Sequence, residues 1–521
     1  RTELGQHFAW KQERYEKAAQ WSELSVPGEE RLDSVFLWLK YNALWLEMDL
    51  PELGYGFMAG MEDYPWFFGC DAAYTVLGLN AVGRYDLSKS MLRLLANASE
   101  WTNGNGRIIH EMSTNGAVFN EGNTNETPQF ITACYDTYLW SGDRAFLDGM
   151  YPAMVKGMQW LQEQDLDGNG ISEGYGMMEI HGMNGEMIDV AAYTAQAWRT
   201  MVQVHQLYGD SVQAALAEAK AGALETFVNE QYWVEKKNVY ADVRGTPEQA
   251  QHLIADAIAR AKQLDKPWAV EELEATFSEA TLDWIAANPP YCGELPLESE
   301  TPVQPLVPYS IHHNWIVNTP MEVGFAPKAY ALAGLDRAAD FANGFGLFVT
   351  GIDRDQSAGN DSAVEAQRKQ TFSYIGAVMT LPTGVVAVAE NNYGRPDRAL
   401  DYLQRMSRSW NFAHPGSMYE VSPDFGMMCQ AWNMYSFGYP IVRQFFGVRP
   451  NAEARTIDIV AALPSTWSEA SLTRVRLGEG ANENWVDLRW RIGEDGKGVL
   501  DVSQSAKIPW KIALNVLEMD V

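Results

Sequence analysis

Two carboxylates stand where acid–base chemistry would be placed. Glu179 lies in GYGMMEIHGMNGEMID (residues 174–189) and Glu420 in MYEVSPDFGMMCQAW (residues 418–432). The first loop is apolar and punctuated by glycine, and the neighbours of Glu420 are apolar and aromatic. A carboxyl buried among apolar groups has a raised pKa, which suits a general acid, while a second carboxylate can serve as base. That pair is what cleavage of a glycosidic bond requires. Glu186 and Asp189 close the first loop, where Asp189 could equally cap the helix that follows. Asp424, a turn residue after Pro423, competes with Glu420 in the second loop. The chain carries 68 acidic residues, so type alone selects none of them.

Aromatic residues narrow the chemistry. There are 19 Trp, 23 Tyr and 20 Phe, many of the Trp and Tyr in Gly/Asn-rich loops. Sugars present flat C–H faces and a rim of hydroxyls, which aromatic platforms and polar side chains match. A large core full of tryptophan explains the same count. In YPWFFGCD (residues 64–71), Tyr64, Trp66 and Phe67 form a candidate platform, with Asp71 holding two hydroxyls. Read otherwise, Asp71 is an N-cap and the aromatics are core. His110, Glu111, Glu126, Trp315 and Gln430 stand at or before other helix starts and complete the candidate substrate set.

The run DLDGNGISE (residues 165–173) has the D-x-D-x-N-G start of a calcium loop. Asp165, Asp167, Asn169, the Ile171 carbonyl and Glu173 could hold structural Ca2+. Position twelve is Gly176 rather than Glu, so a full EF-hand is absent, and an Asx-rich turn is the alternative. No other cofactor is expected.

Composition excludes several classes. A net charge of -29 repels phosphate backbones and anionic lipid, which disfavours nucleic-acid and membrane partners. No apolar run reaches the roughly 18 residues of a membrane span. The four cysteines are too scattered for a disulfide framework or a zinc site. No signal peptide is visible from Arg1, which leaves cytoplasmic, periplasmic and secreted locations open.

The elements that must position these residues repeat. Apolar residues recur at helical spacing near 31–47, 71–83, 86–98, 127–141, 144–164, 189–208, 210–230, 319–334, 336–345, 376–393, 396–409 and 427–445. Short links such as Ser141-Gly142-Asp143 and Gly209-Asp210 make antiparallel neighbours. The second helix of each pair recurs every roughly 50–60 residues, except across an insertion at about 234–305. Six hairpins predict a mainly α fold, an (α/α)6 barrel over residues 31–445, with long polar loops gathered on one rim. Residues 1–30 read as a linker or connecting helix. Beyond 446, alternating and β-branched segments separated by glycine turns predict a small C-terminal β domain, expected as a sandwich.

Four segments carry a family resemblance. PWFFGCDAAYTVLGL (residues 65–79) resembles a PWF-x-RDT block in the glucosidase domain of glycogen debranching enzymes. GEMIDVAAYTAQAW (residues 185–198) and MYEVSPDFGMMCQAWN (residues 418–433) resemble two further blocks of that family. DLDGNGISEGYG is similar to a segment of bacterial family 63 α-glucosidases, some of which bind calcium there. The resemblance implies an inverting, exo-acting α-glucosidase on an oligosaccharide or disaccharide. Glu179 would be its acid, Glu420 its base, and Asp71 a ligand of the first sugar. Cys70 stands where the family has Arg, the acid position has Glu where Asp is common, and TFSYIGAVMTLP (residues 371–382) lacks an expected block. Alternatives are another hydrolase on this barrel (trehalase, mannosylglycerate hydrolase or α-rhamnosidase), an epimerase working through His110 and His312, and a non-catalytic glycan-binding protein. Oligomeric state is not indicated.

Overall fold

The computed structural model describes residues 2–178, 184–246, 306–310, 313–350, 378–412, 414–422 and 426–516, with single residues of 258–275. Thirteen helices organise the described chain: α1 (Thr2–Gln20), α2 (Glu30–Leu46), α3 (Gly69–Ala81), α4 (Tyr85–Thr102), α5 (Glu126–Ser141), α6 (Arg144–Glu163), α7 (Ile188–Leu207), α8 (Ser211–Gln231), α9 (Thr319–Val323), α10 (Lys328–Ala339), α11 (Thr380–Asn392), α12 (Pro396–Ser407) and α13 (Asn433–Gly438). The last continues as π-helical turns over Tyr439–Phe445.

Six of these close on one another. α3 packs on α5, α5 on α7, α7 on α9, α9 on α11 and α11 on α13, and α13 returns to α3. Their sequences explain the interior position. In α3 every residue but Leu77 is buried, and in α11 every residue but Asn392. A helix apolar or small on all sides finds partners only inside. The outer helices are one-sided instead. α12, for example, buries Ala399, Leu400, Leu403 and Met406, one stripe at helical spacing.

The fourth inner helix differs from its expected length. The pattern at 319–334 predicts one long helix, but α9 stops at Val323 and α10 starts at Lys328. Gly324, with φ of 94°, terminates α9, and Pro327 begins the next segment. The apolar spacing runs through this break without marking it. The outer segment expected at 336–345 is accordingly the end of α10 plus a short hairpin, Ala342–Asn343 with Gly346–Leu347.

Small residues set the spacing of the ring. A Cβ on Gly78 of α3 would meet the Met434 carbonyl and lie 2.6 Å from the Tyr435 nitrogen. These are backbone atoms of α13, so neither can step aside. Gly78→Ala is expected to cost roughly 2–3 kcal/mol through overpacking, read as a lower urea midpoint. Gly222→Ala is the control, because nothing lies within 4 Å of it.

The C-terminal strands form two sheets. One is antiparallel, in the order Glu23–Ser25, Glu469–Leu477, Asn484–Ile492, Gly498–Ala506. The other pairs Val448–Asn451 with Thr456–Ala461, and Thr456–Ala461 in parallel with Lys511–Val516. The N-terminal segment thus supplies an edge strand to the first sheet. The sheets abut the C-terminal ends of α3 and α5, where Gly478 N donates to Trp140 O and Ala452 N to Leu139 O, both at 2.8 Å. Of the insertion, the charged stretch 248–264 lies almost wholly outside the described residues.

Candidate functional site

The other ends of the inner helices carry the polar residues. Short ladders feed directly into them: Phe67–Phe68 precedes α3, Asn184–Met187 precedes α7, Val378–Met379 precedes α11, and Cys429–Gln430 lies just before α13. Each strand is paired, with Glu111–Met112, Val243–Gly245, Val421–Ser422 and Gly60–Met61 respectively. Backbone pairing therefore fixes the first turn of these helices and the side chains on it.

Glu420 sits over the start of α11, where its carbonyl accepts from Thr380 N at 3.2 Å. Its Oε2 accepts from Met427 N at 3.1 Å, and the side chain is half-buried. Gly426, with φ of 72°, lies against that carboxylate, where a Cβ would collide with Oε2. Glu179 falls outside the described residues. The loop leading to it is nonetheless held, because Asp189 Oδ2 accepts from Met177 N at 2.6 Å. Asp189 thus anchors the backbone ahead of Glu179 from the first turn of α7. Burial pushes its pKa up to about 6.

The remaining candidates separate into groups. Asp71, in the first turn of α3, accepts from Gln430 Nε2 at 2.8 Å, and both are buried. Glu126, wholly buried in the first turn of α5, meets His110 Nδ1 at 2.7 Å through Oε1. Glu111 lies beside His110 in the ladder with Phe68, whose ring His110 meets edge-on at 5.5 Å. Trp315 packs edge-on against Trp432 at 5.8 Å, near the start of α13.

The aromatic platform is only partly as expected. Trp66 is half-buried and stacks on Phe119 at 5.0 Å, with Tyr64 edge-on at 6.0 Å. Tyr64 N also reaches Met427 Sδ at 3.4 Å, which places this cluster beside Glu420. Phe119 is 63% exposed; the sequence offered no cue to it beyond a lone aromatic in a loop. Phe67, by contrast, is fully buried and offers no face to a solute. Strand alternation turns it inward.

Several buried polar atoms on this rim have no hydrogen-bond partner among the described residues: Glu126 Oε2, Asp189 Oδ1, Gln430 Oε1 and His313 Nε2. A buried polar atom left unpaired costs about 1–3 kcal/mol, so such groups are normally satisfied. Glu126 and Asp189 lie in the first turns of α5 and α7, and His313 and Gln430 in the segments before α9 and α13, so all four are groups that ligand hydroxyls can satisfy.

Glu186 belongs elsewhere. It is fully buried and accepts from Arg244 Nη1 and Asn169 Nδ2, each at 2.5 Å. Asp167, Glu173 and Glu186 each bring a carboxylate oxygen within 4.8 Å of the others. Of the expected calcium ligands, Asp165 instead caps Gly170 N at 2.9 Å, and Asn169 spends its amide as a donor. The set is all oxygen, which fits a hard cation such as Ca2+. Glu186 thus joins Asp167 and Glu173 instead of the sugar candidates, because the Asn184–Met187 strand carries it toward Gly174–Tyr175 and the calcium-like turn.

Deeper along the ring axis, Glu322 of α9 gathers three tyrosines. Tyr193 donates to its Oε2 at 2.6 Å, Tyr435 donates to Oε1, and Tyr74 bonds Tyr193. Above them, Tyr74 and Gln129 reach Met177 Sδ at 3.3 and 3.4 Å. A cavity of about 40 Å³ adjoins this cluster, lined also by Thr132, Gln196 and Tyr439. Burial raises the Glu322 pKa to about 7. The sequence does not single out Glu322, since one Glu in a predicted helix carries no signal.

No protein-family model matches the chain, and no curated protein does. Solved structures do match. The GH78 family rhamnosidase of Bacillus sp. GL1 superposes with a TM-score of 0.61 at 15% identity, over 96% of this chain and 43% of that one. The α-L-rhamnosidase of Streptomyces avermitilis gives 0.53 at 12%, over 93% and 38%. The GH63 mannosylglycerate hydrolase of Thermus thermophilus gives 0.50 at 12%, over 78% and 99%. The chain therefore has the fold of these glycoside hydrolases and spans less than half the length of the rhamnosidases. No helix among the described residues is long and apolar enough to cross a membrane.

Proposed function

We propose that this chain is a glycoside hydrolase, with the closed ring of six helices as an (α/α)6 barrel and the rim of unpaired polar atoms as its sugar pocket. The observation that carries the reading is that rim itself, with Glu420 and an exposed aromatic cluster beside it. The fold shared with three glycoside hydrolases supports it.

The mechanism proposed is a single displacement with inversion. Glu179 protonates the leaving oxygen while Glu420 takes a proton from the water attacking the anomeric carbon. Carboxyls in such sites stand roughly 6.5–9.5 Å apart, which leaves room for that water. Asp71 and Gln430, bonded to each other, and Glu126 with His110 would hold the hydroxyls of the first sugar. The Trp66–Phe119 stack would meet an apolar sugar face. The substrate proposed is a small α-linked glycoside cut from its end. An α-glucoside follows from the sequence resemblance, and an α-L-rhamnoside or a mannosylglycerate from the structural likenesses. Product release from maltose, isomaltose, trehalose, 4-nitrophenyl α-L-rhamnoside and mannosylglycerate, with the anomer read by NMR, tests this. Turnover of none, or a retained anomer, would reject it.

An epimerase remains the second reading, because two buried histidines are each paired with a carboxylate, His110 with Glu126 and His313 with Asp242. His312, the other histidine expected in that role, lies outside the described residues. Epimerised product from free sugar in the same NMR assay would favour it.

The Asp167–Glu173–Glu186 cluster is proposed to bind Ca2+ as a structural ion. Millimolar CaCl2 is expected to raise the thermal midpoint by a few degrees through preferential binding to the folded state. Asp167→Asn should abolish the increase.

A further inference from the structure

His313 departs from the ordinary pattern of a buried histidine. It is 1% exposed and lies six residues before α9, on the same rim as Asp189 and Trp315. Asp242, itself fully buried, holds it twice: Oδ1 accepts from the His313 backbone nitrogen at 2.6 Å and meets Nδ1 at 2.8 Å. Asp242 is fixed in turn. Its carbonyl accepts from Ile188 N at 3.1 Å, one residue before Asp189, and its nitrogen donates to Tyr309 O at 2.9 Å. His313 also bridges to Thr350, so both sides of its backbone are pinned.

Two consequences follow from this geometry. The carboxylate engages Nδ1, which leaves Nε2 on the far side of the ring to meet another group. That Nε2 is buried and has no hydrogen-bond partner among the described residues. Orienting an imidazole this rigidly while leaving its far nitrogen unpaired costs stability, unless another group meets it. Asp242 ties His313 to the segment that opens α7, through Ile188 N, and Asp189, the next residue, belongs to the proposed sugar pocket.

We infer that His313, oriented by Asp242, is a substrate-binding residue whose Nε2 hydrogen-bonds one sugar hydroxyl and so sets which sugar the pocket takes. The inference rests on the hydrolase reading. It assigns to that pocket a specificity-determining group that the two-carboxylate mechanism does not require.

The test is calorimetric titration of the full chain with glucose, mannose and rhamnose, then with the monodeoxy analogues of the tightest binder. Removing the hydroxyl that meets Nε2 should weaken binding about 10–100-fold, as for one buried polar group left unpaired. In His313→Asn, whose amide can still reach Asp242, that same deletion should cost less than about 3-fold, while the other deoxy analogues keep their wild-type penalties. His313→Ala, which also removes Nε2, gives the same comparison if the asparagine variant loses its far-UV signal. Unchanged selectivity among the deoxy analogues overturns the role of His313 alone. Binding of none of the sugars overturns it together with the hydrolase reading.

Discussion

Glu420→Gln is expected to lower turnover about 1,000-fold with little change in fold. General base catalysis contributes typically 10²–10⁴-fold, and glutamine cannot take the proton from water. The fold should survive because the amide oxygen can still accept from Met427 N, the contact Glu420 makes through Oε2. Glu179→Gln should behave differently from Glu420→Gln across substrates. An acid matters most when the leaving group is a poor one, so its loss should be severe for disaccharides and mild for 4-nitrophenyl glycosides, whose phenolate leaves unaided. The base variant should be equally poor on both. Steady-state rates on one disaccharide and one aryl glycoside separate the roles, and unimpaired turnover by either variant removes that residue from the mechanism.

Stability should fall as pH rises from 5 to 8, and Glu322 should be a main cause. Its carboxyl ordinarily titrates near 4.5 and is raised to about 7 by burial on the axis, against the hydrogen bonds from Tyr193 and Tyr435. Below about 4.5 the group is protonated in both the folded and unfolded chain, and there is no penalty. Between 4.5 and 7 the unfolded chain releases this proton first, so folding loses free energy as pH increases. Above 7 the full loss applies, of order 3 kcal/mol for a shift of this size. Glu322→Gln keeps the shape and an acceptor but cannot ionise. Its urea midpoint relative to the parent should therefore rise between pH 5 and pH 8. A constant difference would mean that Glu322 does not carry the slope. Comparing variant with parent cancels other raised groups such as Asp189 and Glu390.

How much of this was legible beforehand depended on whether the signal was local. The inner helices α3, α5, α7 and α11 are apolar or small on nearly every face, and local periodicity reveals that. The turn at Gly142, which ends α5 with φ of 70°, was equally plain from Ser141-Gly142-Asp143. The break at Gly324–Pro327 was not, because apolar spacing continued through it. Aromatic neighbours make Phe67 a platform candidate, and only pairing with Met112 shows which face it takes.

By itself the sequence determined the helical repeat, the placing of long polar loops ahead of the inner helices, and two acidic loops about 240 positions apart. These are properties of residue type and spacing, which act over one or two turns of chain. Tertiary structure alone decided which polar groups meet. Asp71 reaches Gln430, His313 reaches Asp242, and Glu186 turns from the sugar rim to Arg244 and the acidic turn. The pairs Glu186–Arg244, His313–Asp242 and Asp71–Gln430 span 58 to 359 positions. No periodicity reports such contacts, because they arise only when the ring closes and desolvation forces each buried polar group to find a partner.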